Sequence, residues 1–525
     1  MKKLICSLTA AILTAALLAG CSDNSGDKSE SLENSPDGQY YNEAAEDDYI
    51  GVNRAPGIVF SDEEYSVIAE NREIDVADNS VITFSLKIDT ASYRNVARYI
   101  EGGNLPPSDA VRIEEMINYF NYDAVLPENE TPFSIYTELG RSPFNQNNHL
   151  AFIRVKSKEI DKTELPKSNL VFLIDSSGSM ASHDKLPLLK SAFGMLADTL
   201  TEDDLVSVVT YAGESRVVLD GVSGNQKDRI MAEINELTAG GSTAGGAGIA
   251  AAYELAEKNF IQNGNNRVIL ATDGDFNVGV STVGELERLM AEKSGDGVYI
   301  TILGVGTENL KDNKMEVIAK NGKGNYHYLD SAAAAQKVLI DELSANLFSV
   351  ADDVKSQIEF NPALVGAYRL IGYENRMLTS RDFKDDSVGA GVIGIGTDVI
   401  LMFELELKDG TDLKYQPSQN ISPDDGAKYS DELFEIRIRY KNPGESESLL
   451  LTHPVKTDRI LDFNSSDFIF AASVAGFGKL LRSSEYTGSF TIDKALALAL
   501  DSTGQDRNGY RREFIELLQK YKRMS

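Results

Sequence analysis

The feature that most constrains the fold of this chain is a regular alternation of buried strands and helices between about residues 168 and 348. Residues 170–174 form an unbroken apolar run, which is typical of a central strand in a parallel sheet. Residues 186–200 then show helical spacing of apolar side chains. The alternation continues with strands predicted at 206–211, 217–219, 268–271, 298–305 and 326–329, and an Ala-rich helix at 245–260. This pattern predicts an α/β domain with a doubly wound, mostly parallel sheet.

Polar side chains stand at the ends of three elements of this domain. Asp175 ends the first strand, and Ser177 and Ser179 follow it directly. Thr243 precedes the Ala-rich helix, and Asp273 follows the next predicted strand. Ligands of open parallel sheets bind beyond the carboxyl ends of the strands, so we expect these side chains to share one edge of the sheet. Carboxylate and hydroxyl oxygens are hard ligands that suit Mg²⁺ or Mn²⁺.

These side chains match the metal-ion-dependent adhesion site of the von Willebrand factor type A (VWA) family residue by residue, and the chain resembles that family. The resemblance implies a Rossmann-like VWA fold and a divalent cation, held directly or through water by Asp175, Ser177, Ser179, Thr243 and Asp273. Mg²⁺ is the expected ion, with Mn²⁺ or Ca²⁺ as the other options. The resemblance also implies an open coordination position for an Asp or Glu carboxylate of a protein or peptide partner.

The wider chain resembles one lineage of bacterial VWA lipoproteins. The motifs that carry this resemblance lie at 88–93, 109–120, 368–376 and 470–478. The resemblance implies four successive parts, namely a VWA-associated N-terminal region at 80–165, the VWA domain at 168–348, a β-rich region at 350–460 and a C-terminal helical region at 466–525.

Strand patterns stand on both sides of the predicted VWA domain. Period-two alternation occurs at 133–160 and recurs between 354 and 440. We expect strands at about 133–156 to pair with strands at 352–453, forming a β-sandwich-like region into which the VWA domain is inserted, because domain termini often lie close together. A helix capped by Ser108 is also predicted, with one apolar face formed by Ile113, Met116, Ile117 and Phe120.

The N-terminus has the pattern of an export signal, with two lysines before an apolar run at 4–18. The small residues that precede Cys21 resemble a bacterial lipobox, which implies a lipoprotein signal peptide at 1–21 and lipidation of Cys21. By the same resemblance, Ser22 rather than Asp after this cysteine implies an outer membrane location in the cell envelope, if the cell has an outer membrane. A plain signal peptide or a transmembrane anchor is the alternative, although the run is short for a spanning helix.

Composition limits the partners and the chemistry of the chain. Residues 22–60 are rich in Ser, Asp, Glu, Asn and Gly, which predicts a disordered acidic tether. The formal net charge of −30 and the pI of 4.6 argue against nucleic acid or an anionic membrane surface as a direct electrostatic partner. Membrane contact is expected through the lipid anchor on Cys21. Cys6 and Cys21 are the only cysteines, which excludes thiol catalysis and Cys-ligated zinc in the folded body.

The sequence predicts no catalytic residues and therefore no enzyme. None of the histidines at 149, 183, 327 and 453 stands beside a Gly-x-Ser-x-Gly nucleophile elbow. A phosphatase of the Asp-x-Asp type would need a carboxylate in place of Ser177, and the glycine-rich run at 240–248 lacks the lysine of a phosphate-binding loop. His183 follows the serine motif closely and could approach the metal, although an exposed loop position is favoured.

The sequence therefore predicts a membrane-anchored, metal-dependent protein-binding module with an adhesion or scaffold role. One alternative is a metal-assisted hydrolase that uses Asp175 and Asp273, or an accessory subunit of a cell-envelope enzyme. Another is an envelope-assembly role in which the flanking regions recognise the partner. The site itself has two further interpretations: a vestigial site without metal, or a calcium loop starting at Asp273, which would have Gly284 where the twelfth ligand should be.

Overall fold

The computed structural model describes residues 62–87, 89–123, 131–161, 164–242, 245–275, 282–293, 297–307, 309–408 and 431–525. All of them belong to one compact unit, Ile58–Ser525, and the predicted signal peptide and most of the tether precede that unit and lie outside the described residues. Within the described ranges, no helix has the length and apolar character needed to cross a membrane.

The chain begins with short strands and two helices, which are β1 (Ile74–Asp75), β2 (Val81–Ser85), α1 (Ala91–Glu101), α2 (Ile113–Ile117), β3 (Phe133–Arg141) and β4 (His149–Ser157). The helix predicted from Ser108 is interrupted, because Ser108 begins a short 3₁₀ turn and the two residues before α2 are extended. The cause is tertiary, since the buried Arg112 guanidinium pairs with Asp312. The apolar residues predicted to share a face are still buried in one cluster, namely Ile113, Met116, Ile117 and Phe120.

The α/β domain follows, with elements β5 (Ser168–Asp175), α3 (Leu186–Ala197), β6 (Leu205–Tyr211), β7 (Ser215–Ser223), α4 (Lys227–Glu236), α5 (Gly245–Lys258), β8 (Asn265–Thr272), α6 (Val283–Lys293), β9 (Val298–Val305), α7 (Asp312–Asn321), β10 (Asn325–Leu329), α8 (Ala332–Gln336) and α9 (Leu343–Leu347). A π-helical turn, Lys337–Asp341, lies between α8 and α9. The sheet order is β10-β9-β8-β5-β6-β7, and β7 alone runs antiparallel. The predicted doubly wound, mostly parallel sheet is confirmed.

Two antiparallel sheets form the region around this domain. The strands after the domain are β11 (Ser349–Phe360), β12 (Val365–Ile371), β13 (Met377–Leu378), β14 (Gly391–Gly394), β15 (Asp398–Leu407), β16 (Glu432–Lys441) and β17 (Ser448–Lys456). One sheet has the order β1-β12-β15-β4-β3, and the other has β13-β2-β11-β16-β17 with β14 beside β11. β4 pairs with β15, from His149 opposite Leu405 to Lys156 opposite Asp398, so the predicted pairing across the inserted domain is confirmed.

The C-terminal helices α10 (Ser466–Arg482), α11 (Ile492–Asp501) and α12 (Tyr510–Met524) form a second core with α1 and α2. Phe514 of α12 is fully buried at the centre of this core. Its ring centroid lies 5.5 Å from that of Phe120, 5.6 Å from Phe470 and 5.8 Å from Phe477. The predicted C-terminal helical region is thus joined to the N-terminal part through aromatic packing.

Buried ion pairs join the α/β domain to the parts around it. Arg112 donates to both carboxylate oxygens of Asp312, the first residue of α7, at 2.6 and 3.1 Å. The same guanidinium donates to Glu115 at 2.6 Å. The side chains of Arg112 and Asp312 are 2% and 0% exposed. Because an unpaired charge is costly away from water, these contacts hold α7 in a fixed position against the N-terminal part.

Candidate metal site

Strand β5 carries Asp175 to the carboxyl edge of the parallel sheet. All eight residues of β5 are buried, since the strand lies between β6 and β8 and is packed on both faces. Oδ1 of Asp175 accepts the N–H of Ser177 at 2.9 Å, and Oδ2 accepts the hydroxyl of Thr272 at 3.0 Å. The Asp175 carboxylate therefore has a fixed orientation.

Ser177 and Ser179 bring their hydroxyl groups together in the loop after β5. The two Oγ atoms lie 3.1 Å apart. Ser177 is buried, whereas Ser179 is half-buried. With the carboxylate of Asp175, these side chains form a group of hard oxygen atoms that solvent reaches at Ser179.

The glycine-rich loop before α5 is hydrogen-bonded to the serine loop. The N–H of Gly178 donates to the carbonyl of Gly241 at 3.0 Å, and the N–H of Gly240 donates to the carbonyl of Ser176 at 2.8 Å. These bonds hold the two loops side by side at the sheet edge. Thr243 belongs to the second loop but lies outside the described residues, so its role stays a prediction.

Asp273 follows the neighbouring strand, β8, and is fully buried. Its Oδ2 accepts two hydrogen bonds, from Lys185 Nζ at 3.0 Å and from Asn309 Nδ2 at 2.9 Å. Its Oδ1 accepts the N–H of Asp275 at 3.1 Å. Sequence reasoning missed Lys185 and Asn309, because nothing in the local pattern around Lys185 indicates a partner 88 residues away.

The electrostatics of the site centre on Asp175. Burial raises the pKa of its carboxyl to about 6, and the negative charge of Asp273 acts in the same direction. The hydrogen bonds from Ser177 and Thr272 lower this pKa but do not offset burial. The fold therefore holds the Asp175 carboxylate in a place where its negative charge is disfavoured, and a bound cation would relieve that cost.

The residues present fit a small divalent cation. Their donor atoms are carboxylate and hydroxyl oxygens, which Mg²⁺ and Mn²⁺ prefer. Among the residues that the structure describes, no three His, Cys, Asp or Glu side chains form a metal-binding group. A cation at this edge would therefore depend on the hydroxyls of Ser177 and Ser179 as well as on the two carboxylates.

Other candidates from the sequence lie outside this cluster. His183 is exposed, as predicted. His327 is buried in β10 and hydrogen-bonds to Thr90 at 2.9 Å, so it is a core residue. Half of the alternative calcium loop that starts at Asp273, residues 276–281, lies outside the described ranges, so this alternative stays untested.

The fold and the oxygen-lined sheet edge define the class of protein, and comparison with known families agrees. Residues 169–341 match the von Willebrand factor type A domain model, and residues 59–151 match a second model described as von Willebrand factor. Residues 345–524 match the model of the C-terminal part of the uncharacterized protein YfbK. The α/β domain is therefore a VWA domain.

Similar proteins identify the family. The chain is 43% identical over 466 residues to the uncharacterized protein YfbK of Escherichia coli (strain K12). The matched region covers 87% of this chain and 80% of that protein. It is 25% identical over 183 residues to the magnesium-chelatase 67 kDa subunit of Chlorobaculum tepidum, covering 32% of this chain and 29% of that subunit. A solved structure, von Willebrand factor type A from Catenulispora acidiphila, aligns with a TM-score of 0.44 at 16% identity, over 73% of this chain and 89% of that one. The chain belongs to the YfbK family of VWA-domain proteins.

Proposed function

We propose that this protein is a metal-dependent protein-binding module that captures a carboxylate of a partner through a divalent cation. The observation that carries the proposal is the buried carboxylate of Asp175 beside the paired hydroxyls of Ser177 and Ser179, at the carboxyl edge of the sheet. Mg²⁺ is the proposed ion, and Mn²⁺ and Ca²⁺ are the other candidates.

Each residue has a separate task in this proposal. Asp175 supplies a negatively charged carboxylate, and hydrogen bonds from Ser177 and Thr272 fix the orientation of that group. Ser177 and Ser179 supply neutral oxygens, and Asp273 supplies the second carboxylate. When bound, the cation supplies a Lewis-acidic centre that attracts a partner's Asp or Glu side chain.

We propose a non-catalytic role for the site. The Ser177 hydroxyl lies against another hydroxyl, that of Ser179, and the exposed His183 makes no described contact with either serine. The alternative is a metal-assisted hydrolase or an accessory subunit of a cell-envelope enzyme. A hydrolytic activity that disappears on replacing Asp175 would favour this alternative.

Replacement of Asp175 by asparagine tests the metal site. In the wild type without its first 21 residues, Mg²⁺ at about 100 times its Kd should add about 2.7 kcal/mol to the free energy of unfolding, because the ion binds only the folded state. Asp175→Asn should lose this gain. Thermal unfolding with Mg²⁺, Mn²⁺ or Ca²⁺ measures the effect, with Asp220→Asn, which changes an exposed aspartate, as the matched control. A wild type that shows no shift and no calorimetric binding would contradict the proposal.

In the absence of metal, the same variant is expected to be more stable than the wild type at neutral pH, which gives a second test. The pKa of Asp175 is about 6 in the fold, above its ordinary value of 3.8. The charged form therefore destabilises the fold, and this cost grows from about pH 4 and is complete above about pH 6. We expect metal-free Asp175→Asn to be more stable than the wild type at pH 7.5, by an amount on the order of 1–3 kcal/mol, and to lose that advantage at pH 4.

The location is proposed from the N-terminal sequence. We propose that Cys21 is lipidated and anchors the protein in the cell envelope, with residues 22–60 as a tether. Cys21→Ser should abolish incorporation of labelled palmitate in a bacterial host and release the protein from the membrane fraction. The control is Cys6→Ser, which removes the other cysteine and should leave labelling unchanged. Labelling that persists in Cys21→Ser would contradict lipidation of Cys21, and a wild type that incorporates no palmitate would point to a plain signal peptide or a membrane-spanning anchor.

A further inference from the structure

The candidate metal site contains a cation of its own, the ammonium group of Lys185. Its Nζ donates to Asp273 Oδ2 at 3.0 Å and to Asn309 Oδ1 at 2.6 Å. Asn309 in turn donates to the same oxygen of Asp273 at 2.9 Å. This oxygen of the second proposed carboxylate ligand is thus already paired with a positive charge.

The backbone is shaped to admit this lysine. Lys185 is 5% exposed, although lysine is almost never buried without a partner. Its aliphatic stem passes directly beside Gly306, where a Cβ atom would lie 2.0 Å from Lys185 Cε. Gly306 also has φ of +84°, a conformation that favours glycine. Any other residue at this position would displace the lysine from Asp273.

We propose that Lys185, as the internal counter-ion of Asp273, sets how strongly the site binds its metal ion and how strongly the bound ion attracts an anionic ligand. Asp175, Asp273 and Lys185 together carry a single net negative charge. A divalent cation bound among them keeps a net positive charge, so it attracts an anionic ligand. With both carboxylates uncompensated, the ion would be fully neutralised by the protein. The inference rests on the proposed function, since it concerns the strength of metal and carboxylate binding at that site.

The proposal predicts that removing the charge of Lys185 changes metal affinity and carboxylate affinity in opposite directions. A purely structural role of Lys185 would change both affinities in the same direction. Removing the charge of Lys185 frees a carboxylate for the metal, so metal affinity should rise. The bound metal then keeps less positive charge, so its affinity for a carboxylate ligand should fall. If Lys185 only supported the loops, its removal would disorder Asp273 and weaken both affinities.

The experiment measures Mn²⁺ binding by calorimetry and acetate binding to the Mn²⁺-loaded protein by water-proton relaxation. For Lys185→Met we expect Mn²⁺ affinity to rise about tenfold and acetate affinity to fall about tenfold, as for a unit charge placed close to the ion. Lys311→Met is the matched control, because Lys311 is a neighbouring lysine whose Nζ pairs with Glu64. It should change either affinity less than about twofold, in line with a partly exposed pair.

Lys185→Gln covers the case in which Lys185→Met does not fold, because glutamine keeps a hydrogen-bond donor while removing the charge. Unchanged affinities, or a fall in both, overturn the inference. If the wild type binds no Mn²⁺ but a Lys185 variant binds it, the inference is supported and the proposed function is overturned for the native chain. If neither protein binds Mn²⁺, both fail.

Discussion

Arg112→Met is expected to lower the free energy of unfolding by about 3–5 kcal/mol, because it leaves the carboxylate of Asp312 buried without its cation. The Arg112 guanidinium donates to both oxygens of Asp312, and methionine fills part of its volume without donating a hydrogen bond. Most of the loss is therefore the cost of an uncompensated buried charge and not the cost of a cavity. Chemical denaturation at pH 7.5 measures this loss.

Two further variants separate this explanation from simple loss of packing. Arg439→Met removes an arginine whose pair with Asp386 is much more exposed, so it should cost about 0–1 kcal/mol. Adding Asp312→Asn to Arg112→Met should restore part of the stability, because the unpaired buried charge is then removed together with its partner. A single variant that loses less than about 1 kcal/mol would show that water or local rearrangement solvates Asp312.

Phe514→Ala is expected to cost about 3–5 kcal/mol, as for other large-to-small changes of a buried aromatic residue. Phe514 is fully buried, and its ring lies against those of Phe120, Phe470 and Phe477. The variant leaves a cavity between helices that come from both ends of the chain. The C-terminal helices should therefore loosen first, which hydrogen exchange of α10 and α12 would detect.

The control for this change is Phe463→Ala. Phe463 is 92% exposed, so its removal should alter the free energy of unfolding by less than about 0.5 kcal/mol. Similar losses for both variants would mean that burial does not explain the effect of Phe514. Uniform loss of protection across the chain would mean that the VWA domain and the helical region unfold together.

The central part of the fold was predictable because its sequence pattern is local. The apolar run of β5 and the helical spacing of α3 identify a parallel α/β domain without knowledge of distant contacts. The end of β5 also places Asp175, Ser177 and Ser179, because ligands of such sheets gather at the carboxyl edge. The pairing of β4 with β15 was predictable from the two alternating patterns on either side of the insertion.

The parts that sequence reasoning missed depend on long-range contacts. The break before α2 follows from the burial of Arg112 against Asp312, 200 residues away. Lys185 reaches Asp273 only because Gly306 leaves room for its stem. Local propensity carries no information about either contact. Thr243 was predicted from the motif alone and remains a prediction.

The insertion of the VWA domain between β4 and β11 has a mechanical consequence. These strands belong to different antiparallel sheets, so a force applied to the VWA domain would act on both sheets at once. Such a force would act to separate the two sheets from each other. It would not detach a single edge strand from its neighbour. It is resisted by the aromatic side chains between the sheets, where Phe84 and Phe360 lie 6.4 and 5.7 Å from Phe403. A force applied to the VWA domain would therefore be shared between the two sheets.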